Sequence, residues 1–220
     1  MSERPARARA EELLLECIRE IAVDGGGMSL VSTNGLRQPL YGSDDTAAVM
    51  ERLQFTLGEG PCVEASVSGS PVLVADLDDP GSGAYARWPV FLDEATKAHI
   101  GAVFAFPVRV GAISLGAIDL YRMSPGPLDK EELSTTLTTV DAIAAALLDG
   151  ERALHSGLDM DRLSSMEVHR AAGMVMAQMG TTIEEALVRL RATAYADGVP
   201  IEQLANDVIH GRRRFEEETE

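Results

Sequence analysis

Cysteine is nearly absent from this 220-residue chain, and the two present, Cys17 and Cys62, fall in segments of different texture. A disulfide framework and a tetrahedral cysteine metal site are therefore both unsupported. The four histidines, His99, His155, His169 and His210, share no ligand spacing, so no metal-binding residue is expected. Long apolar runs are missing too: the longest, such as residues 102–106 and 142–148, fall far short of a bilayer's width. The stretch MSERPARARA carries charge with no apolar core behind it, so neither a signal peptide nor a membrane partner is expected, and a cytoplasmic location is. Basic charge is scarce as well. The 19 Lys and Arg face 35 Asp and Glu, a net charge of −16, which argues against a broad electrostatic grip on nucleic acid.

That acidity is unevenly spread. Within residues 159–215, 7 Lys and Arg meet 8 Asp and Glu, and the excess of the C-terminal part sits in Glu216, Glu217, Glu218 and Glu220. A polyanionic partner therefore belongs near this end of the chain.

Ala10, Leu14, Cys17 and Ile21 recur at helical spacing and predict an amphipathic helix ending before Asp24. The texture then becomes that of strands. MSLVST and QPLYGS flank Asn34-Gly35, a hairpin signal. A short helix from about Asp45 is followed by LGEGPC and by PVLVADL, read as a buried strand; a helical stretch covers residues 88–98. AVFAFPVRV and AISLGAIDLYR, separated by a tight turn at Gly111, predict neighbouring antiparallel strands. The fold class is α+β with a central antiparallel sheet flanked by helices.

Beyond the sheet, Leu133, Leu137, Val140, Ala144, Leu147, Glu151, Leu154 and Leu158 alternate steps of four and three, a heptad seam that predicts a long helix. The N-terminal helix offers a partner for its first half, and beyond Gly150 a second copy of the chain is expected, giving a homodimer. Three shorter helices follow. Thr182 and Glu185 form a capping box opening the second, with Ile183, Leu187, Leu190 and Ala194 on its inner face. Pro200 suits the first position of the third, whose inner face is Ile201, Leu204, Ala205 and Val208. The first, VHRAAGMVMAQMG, is poor in bulk: either two helices approach closely there or the surface is kept smooth for a partner.

Chemistry is sparse. Cys62 opens a candidate helix, where a thiol pKa can fall, but no histidine is near in sequence and a packed or pocket-lining role is preferred. No catalytic residue is assigned. Gly25–Gly27 leads from a helix into a strand, the reverse of a phosphate loop, and reads as a turn. A small-molecule pocket is expected where Gly58, Gly60 and Cys62 meet a strand face carrying Phe104, Phe106 and Ile118.

TLGEGPC, SGSPVLVADL, RWPVF and AVFAFPVRVGAISLGAIDLYR together resemble a GAF sensor domain, over residues 8–150. Residues 164–215, through Ala171, Gly173, Met176, Ala186, Leu190, Arg191, Ala194 and Ala205, resemble an ANTAR domain, the RNA-binding module of antitermination regulators. Residues 151–163 form a helical connection between them and 216–220 an acidic tail. The resemblance implies a non-enzymatic regulator that binds structured hairpin RNA through Arg170, Ala171, Ala172, Gly173, Met176, Arg189, Arg191 and Ala194, under control of a small-molecule or redox sensor whose cofactor is unknown. Many family members carry lysine where this chain has Ala172; the resemblance implies that its loss removes one phosphate contact, so that Arg170, Arg189 or Arg191 compensates or the affinity is lower. Two alternatives stand beside it. A helix-turn-helix DNA binder is disfavoured by the near-neutral charge, and a GAF-fold thiol reductase by two isolated cysteines.

Overall fold

The structure, a computed structural model, describes residues 3–31, 37–153 and 160–215. Two compact units are present, one containing residues 3–55 and 59–153 and the other residues 160–215.

The first unit is an α+β domain. It runs α1 (Glu3–Glu20), β1 (Gly25–Val31), β2 (Arg37–Gly42), α2 (Asp45–Leu57), α3 (Pro61–Ser68), β3 (Val72–Val74), α4 (Ala84–Arg87), α5 (Pro89–Lys97), β4 (Ala102–Val110), β5 (Ile113–Arg122) and α6 (Lys130–Ala153). The strands form one sheet in the order β2-β1-β5-β4-β3, and every pairing is antiparallel. Gly111, at φ 59°, supplies the left-handed residue that the β4–β5 turn needs. The predicted Asn34-Gly35 turn lies outside the described residues.

Because strand side chains alternate, the sheet has two unlike faces. Phe104, Phe106 and Val108 of β4, Ile118 and Leu120 of β5, and Met28 of β1 pack under α1 and α6. The predicted spacing on α1 is used in full, since Ala10, Leu14, Cys17 and Ile21 all enter this core, where they meet Val140, Ile143, Ala144 and Leu147 of α6. The first half of the heptad seam thus packs on its own domain, while Leu137 stays 43% exposed. Leu154 and Leu158 lie outside the described residues. Arg122 ties this layer together: it pairs with Glu132 of α6 and donates to the carbonyls of Ala22 and Pro127.

The opposite face carries α2 and α3. The helix from Asp45 is longer than the sequence suggested, at 13 residues. It is capped by Asp44, whose carboxylate accepts from the Ala47 amide at 2.9 Å and the Tyr121 hydroxyl at 2.9 Å. PVLVADL corrects the expectation of a buried strand. Only Val72–Val74 is extended, it sits at the sheet edge, and Leu73 faces out at 48% exposure because an edge strand this short is covered on one side only.

The second unit is three helices, α7 (Met160–Met179), α8 (Ile183–Ala196) and α9 (Ile201–Ile209). The capping box is present: Thr182 Oγ1 accepts from the Glu185 amide, and the Glu185 carboxylate accepts from the Thr182 amide. Val168, Ala171, Ala172 and Val175 of α7, Ala186, Leu190 and Ala194 of α8, and Ile201, Leu204, Ala205 and Val208 of α9 are all buried. Most of the missing bulk in α7 is therefore explained by helices packed closely on one another. Pro200 caps α9 from just outside it rather than occupying its first turn.

Candidate functional site

In the first unit, three elements converge on the sheet face opposite α1 and α6. Asp119 stands between Ile118 and Leu120 on β5, so when those two enter the apolar core it faces the other way. Gln54 of α2 donates to Asp119 Oδ2 at 2.6 Å, and the Gly27 amide donates to Oδ1 at 3.1 Å. The Gln54 side-chain oxygen accepts from the Cys62 amide at 2.8 Å, at the start of α3. Cys62 Sγ lies 3.9 Å from Glu51 Oε1. Glu51, Gln54 and Cys62 are each only 2% exposed.

Glycine makes this convergence possible. A Cβ on Gly27 would stand 2.6 Å from Glu51 Cγ and 3.0 Å from Asp119 Oδ1, so only a bare backbone lets the two carboxyls meet above β1. Gly60, at φ 129°, likewise leaves room for Gln54. The LGEGPC motif is in this respect a joint: Glu59 accepts from the Val90 and Phe91 amides and so caps α5, while Pro61 opens α3.

Burial dominates the electrostatics. It pushes the Glu51 carboxyl well above the usual carboxylate range, and the charge of Asp119 adds to the effect. Asp119 is also raised by burial, against hydrogen bonds from Glu51, Gln54, Cys62 and Gly27 that favour its charge. The Cys62 thiol is pushed far up by burial, then by Asp119 and Glu51, so its place at the start of a helix does not make it a thiolate. Arg37 of β2 is half-buried within electrostatic reach of Cys62, and its Nε is buried with no hydrogen-bond partner among the described residues. Cys17 and Cys62 are both free and lie on opposite faces of the sheet, so they form no redox pair.

The six residues expected to frame a pocket are separated by this arrangement. Phe104, Phe106 and Ile118 fill the packed core under α1 and α6, whereas Cys62 joins Glu51 and Asp119 on the other face. Gly58 and Gly60 supply the positive φ values of the joint. Glu51, Gln54, Asp119 and Arg37 escaped sequence reasoning, which sought metal ligands among histidines and cysteines. The available signal was an aspartate inside the otherwise apolar strand GAIDLY.

In the second unit, Arg170 and Met176 of α7 are exposed, and Gly173 between them has nothing within 4 Å of where a Cβ would be. Steps of three set these on one side of the helix. Arg189 of α8 is exposed. Arg191 is half-buried near His169, whose pKa is lowered by burial and then by that guanidinium. Ala171, Ala172 and Ala194, expected at the RNA, are instead fully buried, because a three-helix unit this small needs alanines where its axes approach. Position 172 faces the helix packing. In the arginine run, Arg212 pairs with Asp207 and Arg213 with Asp197, which fastens the chain beyond α9 to the helix ends.

No helix among the described residues is long and apolar enough to cross a membrane. The first unit is similar in fold to the third GAF domain of a Synechocystis protein in its photoproduct state (15% identity, TM-score 0.54, covering 67% of this chain and 96% of that one). It is also similar to the GAF domain region of a Geobacter sulfurreducens protein (17%, 0.52, 66% and 93%) and to a GAF domain/HD domain protein from the same organism (11%, 0.53, 66% and 94%). At these identities the likeness is one of fold. The comparison with curated proteins returned no match. A GAF domain family model matches residues 8–148 and an ANTAR domain family model matches residues 162–209. The chain therefore belongs to the GAF domain family and joins that sensor domain to a C-terminal ANTAR domain, the architecture of an ANTAR-type regulator.

Proposed function

We propose that this protein is a cytoplasmic, homodimeric antitermination regulator that binds hairpin RNA through its ANTAR helices under control of its GAF domain. The observation that carries the reading is the ANTAR match over residues 162–209, a domain in which this chain buries Ala171, Ala172, Ala186, Ala194 and Ala205 and leaves Arg170, Gly173 and Met176 on one outer side of α7. Physically, a gap in side-chain bulk at Gly173 admits a backbone or a splayed base, while Arg170 on α7, with Arg189 and Arg191 on α8, supplies directed donors. With so few basic groups, recognition rests on RNA shape, and the salt dependence corresponds to about two to four phosphate contacts. The outer positions of α6, including exposed Leu137, supply the surface for pairing two copies.

The test is a hairpin-binding titration on the full chain. Arg170→Ala, Arg191→Ala and Gly173→Leu are each expected to weaken binding while circular dichroism stays that of the wild type. Unchanged affinity in all three folded variants contradicts the assignment of this face.

A further inference from the structure

We propose that Glu51, Cys62 and Asp119 form a binding site for one divalent transition metal of borderline softness, such as zinc or ferrous iron, inside the GAF domain. This deepens the sensor reading by naming a class of ligand for it. The carboxylate and thiol ligand atoms of the three residues lie within 4.8 Å of one another, and they come from three different elements, α2, α3 and β5. Cys62 Sγ and Glu51 Oε1 are 3.9 Å apart. Metal–sulfur and metal–oxygen bonds of about 2.3 and 2.0 Å at a tetrahedral angle put those atoms roughly 3.5 Å apart, so a few tenths of an ångström of closure seats an ion.

Charge points the same way. A thiolate and two carboxylates bring three negative charges into a site where Glu51 and Cys62 are buried and Asp119 is half-buried, an arrangement that is unfavourable unless positive charge is supplied. A divalent ion supplies two. The third is already there: the Arg37 guanidinium lies within electrostatic reach of Cys62, with a buried Nε that no described residue engages. The liganded cluster is then neutral, and an otherwise unmatched donor faces an anionic shell.

The surroundings are those of a held ligand set. Gln54 and the Gly27 amide each donate to Asp119, one to either oxygen, and so fix its orientation. Gly27 itself keeps the space in which the carboxyls meet, since a Cβ there would stand 2.6 Å from Glu51 Cγ. One sulfur and two oxygens suit zinc or ferrous iron better than magnesium or calcium. Three protein ligands leave a coordination position open, which is what a sensing site requires.

The experiment titrates Co²⁺, without oxygen, into full-length protein stripped of metal. One equivalent is expected to produce a sulfur-to-cobalt charge-transfer band in the near ultraviolet, which one equivalent of Zn²⁺ abolishes. Cys62→Ser is expected to lose the band and Cys17→Ser to keep it. Glu51→Gln and Asp119→Asn, close in shape to the wild type, are expected to weaken cobalt binding at least tenfold with circular dichroism unchanged. Absence of the band in folded wild type overturns the proposal, as does a band that survives Cys62→Ser or equal affinity in all variants. Because the readout is the metal itself, the result is independent of whether the protein binds RNA.

Discussion

The two faces of one sheet do different work. Under α1 and α6, Phe104, Phe106, Ile118 and Leu120 form a continuous apolar layer with no polar partner to satisfy. One residue away in sequence, Asp119 turns to the other side and meets Glu51, Gln54 and Cys62, all buried and all polar. A protein that needed only stability would fill both faces alike, since buried acid groups cost free energy that aliphatic side chains of similar volume do not. The proposed metal site lies on the face where apolar packing gives way to these polar groups.

Removing volume from the apolar face is expected to have the largest effect. Phe106→Ala leaves a void in a layer where the ring is 1% exposed, and urea unfolding is expected to show a loss of about 3–5 kcal/mol. A loss below about 1 kcal/mol would mean that this face is not the main core.

On the polar face, the most sensitive position is the backbone beneath the cluster. Gly27→Ala forces a methyl against Glu51 and Asp119 and is expected to cost about 1–3 kcal/mol in the same assay. It is also expected to weaken cobalt binding, which no substitution confined to the apolar face is expected to do while the chain stays folded.

At the rim of that face, Asp44 caps α2, and Asp44→Ala is expected to cost about 1 kcal/mol at neutral pH. Burial opposes ionisation of this carboxyl, but hydrogen bonds from Ser43, Ala47 and Tyr121 outweigh it and hold its pKa below the usual carboxylate value. A depressed acid stabilises the fold above its unfolded pKa, and that contribution disappears as pH falls through the folded one. The difference between wild type and variant is thus expected to shrink in acid. A difference that grows on acidification would contradict the capping role.

The smallest effect is expected in the ANTAR unit. Gly173 is a mid-helix glycine whose missing Cβ would meet nothing, so Gly173→Ala is expected to raise stability by up to about 1 kcal/mol by thermal unfolding. A stabilising substitution at this position identifies the glycine as kept for something other than folding.

Legibility in the sequence followed the physics of each element. The spacing of Ala10, Leu14, Cys17 and Ile21, the capping box at Thr182, and the glycine turn between two apolar runs each encode a local, periodic signal, and each is present in the structure. The site was less legible. Asp119 lies within a run so apolar that strand parity is masked, and knowing that it faces away from Ile118 requires the position of α1 and α6 above the sheet. Glu51 and Cys62 are brought together by the α2–α3 joint, whose glycines read as a ligand-binding edge until Glu59 is seen capping α5. In the ANTAR unit the same letters, alanine and glycine, describe two uses: Ala171, Ala172 and Ala194 let helices approach, and Gly173 opens to solvent. Sequence alone does not separate them, because both uses call for small side chains.

The most direct measurement of the account is crosslinking of the protein to RNA in cells, followed by sequencing of what is bound, for wild type and for an Arg170→Ala/Gly173→Leu double variant of equal abundance. The expected result is a set of transcripts in which paired hairpins precede a terminator, recovered with the wild type and depleted with the variant. Equal recovery with both proteins, or recovery of RNA without shared structure, would contradict the claim that the outer side of α7 reads hairpin RNA.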